Sequence, residues 1–110
     1  MANTFKRYAS RDVGTSAVTV GSYTVGASTQ TTLIGLTVAN TTSSAIAVDV
    51  QHNDATNDTY IVKGAPVPAG SSIVIVGGDQ KVVMETGDSI KVTSDTATSA
   101  DAYMSLLEIT

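Results

Sequence analysis

LIGLTVANTTSSAIAVDV, residues 33–50, carries the reading that decides the fold class. Ile34, Leu36 and Val38 alternate with Gly35, Thr37 and Ala39, and then Ile46, Val48 and Val50 alternate with Ala45, Ala47 and Asp49. A period of two is strand geometry, so each run has one core face and one face left to solvent or to a partner. Between the runs, Asn40-Thr41-Thr42-Ser43-Ser44 reads as a hairpin loop. Further runs of the same kind cover residues 17–25, 59–63, 72–76, 81–85, 89–94 and 102–109, bounded by Gly, Pro, Asn, Asp and Ser. Helical periodicity is nearly absent. About eight short strands at this spacing predict an all-β, antiparallel β-sandwich, of jelly-roll or Ig-like type.

The turn residues refine the prediction. Gly77-Gly78-Asp79-Gln80 and Gly87-Asp88 supply positive φ between apolar runs and read as tight reversals. Pro66 and Pro68 remove backbone donors, so residues 65–70 are expected at an edge or in a crossover between sheets. In the last run, Tyr103, Ser105, Leu107 and Ile109 are the candidate inward positions, against Ala102, Met104, Leu106 and Glu108. Apolar residues on both sides imply a strand covered on both, the second cover being a partner subunit. Residues 1–12 show no clean period and set Phe5 and Tyr8 among Lys6, Arg7 and Arg11. They read as an N-terminal arm or edge strand, followed by one sandwich domain over residues 13–110.

Size and charge exclude more than they assign. At 110 residues and 11.2 kDa the chain is one domain, too small for a catalytic barrel, a dinucleotide-binding pair of halves or a two-domain cleft enzyme. Folding at this size removes roughly 65% of the unfolded surface from water, enough for a core without staples. Cysteine is absent, which removes disulfides, thiolate metal sites and cysteine nucleophiles. With no Trp and only Phe5, Tyr8, Tyr23, Tyr60 and Tyr103 as aromatics, a stacking platform for sugars or single strands has little material. A net charge of −4 repels a phosphate backbone, so nucleic acid is not an expected partner. Residues 1–12 nevertheless carry a net +2 and the remainder −6, which fits a basic segment docking on an acidic neighbouring surface as well as a solvated start. No stretch reaches the ~20 apolar residues of a membrane helix, and the N-terminus lacks a signal-peptide apolar region, so neither membrane nor secretion is expected.

Catalytic templates fail one after another. His52 is the single histidine and is expected as an exposed polar residue at a strand end, without a nucleophile elbow. Asp54, Asn57 and Asp58 make an oxygen-rich loop that could gather round a cation, but the spacing fits no EF-hand and these residues close turns by themselves. No pair of carboxylates is singled out for glycosidase chemistry, and Gly77-Gly78 is followed by neither a helix nor Gly-Lys-Ser/Thr. The expectation is a non-enzymatic protein without cofactor or metal.

Residues 60–110, YIVKGAPVPAGSSIVIVGGDQKVVMETGDSIKVTSDTATSADAYMSLLEIT, resemble the C-terminal half of small virion structural proteins of tailed bacteriophages, especially those of aquatic bacteria. MANTFKRYASRDVGTSAVTV and LIGLTVANTTSSAIAVDV resemble their N-terminal half, so nearly the whole chain is covered. The resemblance implies a copy-rich virion component attached to capsid, neck or tail, made in the host cytoplasm and carried on the particle exterior. The leading expectation is a capsid decoration or cement protein, a homo-oligomer with a trimer favoured, bound to itself and to the major capsid or other virion proteins. Its expected subunit interface is Phe5, Lys6, Arg7, Tyr8 and Arg11 of the arm with Met104 and Leu106 of the last strand. The alternatives are a neck, tail or baseplate adaptor, and a carbohydrate-binding attachment module that would need Tyr23, Tyr60 or Tyr103 exposed and coplanar.

Overall fold

The computed structural model describes residues 2–77 and 80–110. Nine strands form two antiparallel sheets: β1 (Asn3–Val13), β2 (Val18–Thr19), β3 (Gln30–Asn40), β4 (Ile46–Asn53), β5 (Asp58–Val67), β6 (Ser72–Val76), β7 (Val82–Met84), β8 (Ser89–Ser94) and β9 (Ala100–Ile109). The front sheet runs β1-β9-β3-β6, with β7 also on β3, and the back sheet runs β2-β8-β4-β5.

β6 pairs with residues 36–39 of β3 and β7 with residues 31–33, both antiparallel, so the two lie end to end along one neighbour. They are one edge strand interrupted by an insertion. Gly77 and Gln80 bridge across it, the Gln80 N–H donating to the Gly77 carbonyl at 3.0 Å. The reversal expected at Gly77-Gly78-Asp79-Gln80 therefore does not turn the strand back within the sheet, and its central Gly78-Asp79 lies outside the described residues. Counting β6 and β7 as one leaves eight strands, four in each sheet, and the chain changes sheet at every connection except β4 to β5. That order is a jelly roll. Asn40-Thr41-Thr42-Ser43-Ser44 accordingly crosses between sheets and does not form a hairpin. Asn40 explains the sharp crossing: buried, it donates from Nδ2 to the carbonyls of Ser44 (2.8 Å) and Val67 (3.0 Å) and accepts from the Thr42 N–H (2.9 Å). Gly87, at φ +92°, closes the 85–88 turn that carries the chain from β7 to β8.

The core lies between the sheets and takes Leu36 and Val38 from β3, Val48 and Val50 from β4, Ile90 and Val92 from β8, and Met104 and Leu106 from β9. Each such side chain contributes about 1.5–3 kcal/mol on leaving water. Two periodicities read from sequence shift. A bulge between Leu33 and Gly35 lets Leu33 and Leu36 both face inward and moves Ile34 out of the core face. In β9 the buried positions are Ala102, Met104 and Leu106, and Tyr103 is the exposed one, the reverse of the expected assignment. Residues 65–67 sit at the edge of the back sheet, where Pro66 pairs with Ala47 in the strand's last turn before the crossover to β6.

Candidate functional site

β1 is a full member of the front sheet. Residues Asn3 to Ser10 pair with β9 in unbroken register from Asn3↔Ile109 to Ser10↔Ala102. Tyr8, on the inward side, stacks on Tyr23 with ring centroids 4.5 Å apart. It also packs against Gly21, where a Cβ would come within 2.5 Å of the Tyr8 Cβ and where φ is +60°. Two separate reasons thus require glycine there. At the strand's other end the Lys6 ammonium lies 3.0 Å from Glu108 Oε1, and the Tyr23 hydroxyl donates to Glu108 Oε2 at 2.7 Å while sharing a 2.8 Å hydrogen bond with Thr31. The Tyr23 bond first, and Lys6 second, hold the Glu108 carboxyl below its ordinary range. Burial pushes the Tyr23 phenol up to about 12.

The expected interface changes at Met104 and Leu106, which are 0% exposed, in the core; Lys6 and Tyr8 of the arm are tied to their own chain through Glu108 and Tyr23. Phe5, Arg7 and Arg11 remain exposed, and neither arginine has an ion pair among the described residues.

The register then shows what the outer side of the front sheet presents. Directly paired residues share a face, so one row crosses the sheet as Phe5, Leu107, Thr32 and Val83, and another as Ala9, Tyr103, Thr37 and Val74. Arg7, Ser105 and Gly35 lie between them, with little side chain beyond Arg7. Phe5 (75%), Val83 (71%), Val74 (66%) and Tyr103 (48%) are four of the five large apolar side chains exposed among the described residues. They form two ridges flanking a trough of small residues. The fifth, Tyr60, is opposite Gln51 on the back sheet, whose outer rows also hold Thr19, Lys91, Asp49, Thr93 and Asn53, with the small apolar pair Ala47 and Pro66 at one end. Val74 and Val83 escaped the sequence reading, their signal being the unbroken apolar runs IVIV and VVM, where alternation fails; Leu107, expected inward, lies on the outer side.

The remaining sequence candidates close on themselves. His52 is half-buried, its Nε2 2.9 Å from Asp88 Oδ2, which also accepts the Glu85 N–H at 2.9 Å. The pair pins the end of β4 to the 85–88 turn, and no hydroxyl is bonded to the ring among the described residues. Asp54 accepts the N–H groups of Thr56 and Asn57, at 3.0 and 2.6 Å, and Asp58 accepts from Asn53 Nδ2 at 2.6 Å. These bonds lower both carboxyls from their usual range, and they are the turn-closing role of such residues. Among the described residues no group of three or more His, Asp or Glu is placed to hold a metal. Tyr23 is buried, and Tyr60 and Tyr103 belong to different sheets, so the three tyrosines do not share a plane. No helix among the described residues is long and apolar enough to cross a membrane. No protein-family model matches the chain, and no curated protein is similar to it at a significant level.

Proposed function

We propose that the chain is a non-enzymatic structural subunit that docks through the outer face of its front sheet, and that its setting is a bacteriophage particle, where it serves as a decoration or cement protein on the capsid. The observation that carries the docking role is the concentration of Phe5, Val74, Val83 and Tyr103 on one sheet face, beside Arg7, which has no ion pair among the described residues. Isolated apolar residues on a surface are ordinary; several gathered on one face of one sheet are what an interface requires. The phage setting is supported by the sequence resemblance over nearly the whole length.

Mechanistically, a rigid jelly roll offers the face without any loop having to be ordered on binding, so little conformational entropy is lost at each contact. Repetition over a lattice multiplies weak contacts. Removing residues 1–12 would take away an interior strand partner together with the surface, so substitutions are the sound test. Val74→Asp with Val83→Asp should abolish incorporation into particles while the isolated protein stays folded. Full incorporation of the double variant would overturn the docking role. Counting copies in purified particles then separates a capsid coat, with hundreds, from a neck, tail or baseplate ring with about six or twelve.

A further inference from the structure

The free edge of β1 is the most regular unpaired edge in the molecule. Ala2 and Thr110 exchange both backbone hydrogen bonds, at 3.1 and 2.9 Å. In an antiparallel ladder such pairs alternate, so the N–H and C=O groups of Thr4, Lys6, Tyr8 and Ser10 point to β9, and those of Asn3, Phe5, Arg7 and Ala9 point away from it. The latter have no backbone partner among the described residues. The other three edges are blunted. β2 is two residues long, β5 carries two register shifts, Gly64 at φ +67° and Pro66, and the β6/β7 edge is split by its insertion. Natural sheets use such breaks, and edge charges, to prevent pairing; over eight consecutive residues β1 has no bulge, Pro or gap, and its charges there are Lys6, held by Glu108, and Arg7.

We propose that β1 pairs with β1 of a second copy, antiparallel about a two-fold axis, with Phe5 opposite Arg7 of the partner and Asn3 opposite Ala9. This register keeps all four outward-facing residues in hydrogen-bonded pairs, about eight bonds in total, and brings each guanidinium beside the partner's phenyl ring. Moving it by one hydrogen-bonded step would put Arg7 against Arg7, or leave Ala9 outside the paired strand. Lys6 falls on the axis opposite its copy, where two cations would normally repel, but each ammonium is already held by Glu108 at 3.0 Å. The two front sheets become one, and their apolar outer faces one continuous docking surface. The inference rests on the assembly role above and gives it a two-fold unit in place of the three-fold order expected from sequence.

Sedimentation velocity of the full chain, at up to about 200 µM, tests the pairing without any particle. The expected result is a species of twice 11.2 kDa. Arg7→Pro removes an outward donor and no bond to β9, and should weaken the dimer by at least about tenfold with thermal unfolding of the monomer retained. Phe5→Lys and Phe5→Asp sharpen the register, since the side chain is exposed and neither change disturbs the core: Lys opposite Arg7 should weaken the dimer and Asp should preserve it. A monomer at every concentration overturns the pairing but leaves docking of the sheet face on a larger shell standing. A dimer that Arg7→Pro leaves intact overturns the β1 edge as its seam, and one weakened equally by Phe5→Lys and Phe5→Asp overturns the register.

Discussion

Tyr103 and Tyr60 are almost equally exposed, 48% and 46%, yet they stand in opposite company. Tyr103 lies in a row with Ala9, Thr37 and Val74 on the front sheet, whereas Tyr60 is at the edge of the back sheet beside Gln51, with the Lys63 ammonium 4.6 Å from its ring centre. The back sheet is apolar inside, and outside it holds Thr, Lys, Gln and Asp together with Ala47 and Pro66 at one end. The front sheet sets Phe5, Leu107, Val83, Tyr103 and Val74 among Arg7, Ser105, Thr32 and Thr37 on its outer side, and the difference shows that exposure of one aromatic says little until the register reveals its neighbours.

Substitutions can break or sharpen that contrast. The largest effect is expected across the two sides of β9 itself. Met104→Ala, on the inner side, should cost about 2–5 kcal/mol in chemical denaturation, while Tyr103→Ala, one residue away, should stay within about 1 kcal/mol. Similar losses at both sites would mean the front face is packed within the monomer. Next come charges on the two outer faces. Val74→Asp and Val83→Asp should shift stability by about 0.5 kcal/mol or less each yet reduce docking more than about tenfold. Thr93→Asp on the back sheet should change neither. Equal sensitivity of both faces would erase the contrast.

The smallest effects concern the Tyr23–Glu108–Lys6 cluster that fastens β1 to the body. The folded-state pKa of Tyr23 is raised to about 12, so its contribution is fully present below the ordinary tyrosine pKa of about 10 and is lost as the pH climbs through the folded value. Thermal stability of the native protein should therefore fall between those limits, and Tyr23→Phe should remove that alkaline component. Glu108 has the opposite sign. Its pKa is depressed, so its contribution is present above the ordinary glutamate pKa and lost as the pH falls through the folded value. Glu108→Gln should flatten the acid side of the profile, and an unchanged acid profile would show that the cluster does not hold β1.

Much of the fold was legible because one-sided strands advertise their period. Residues 72–76 and 89–94 gave strands at the observed bounds, residues 46–50 gave the start of β4, and the two-sheet architecture followed from their spacing. Long-range pairing was not legible: nothing local in NTTSS distinguishes a hairpin from a crossing between sheets, and the deciding contact is Asn40 with Val67, 27 residues away. The insertion within β6/β7 hid for the same reason, since a Gly-Gly turn looks alike whether the chain reverses or resumes its path. In β9 the strand was legible but its sides were exchanged, because apolar residues lie on both and period alone then gives no inward direction. The basic start was read as little packed; Tyr8 against Gly21 and Tyr23 is a tertiary contact that composition does not announce.

The two tyrosines provide the most direct test of the central claim, that the front face is the one covered on assembly. Hydroxyl-radical footprinting of the free protein and of assembled particles reads both side chains in one sample. Protection of Tyr103, together with Phe5 and Val83, and unchanged labelling of Tyr60 is the expected result. Protection of Tyr60 with Tyr103 still labelled at its free rate would contradict the account.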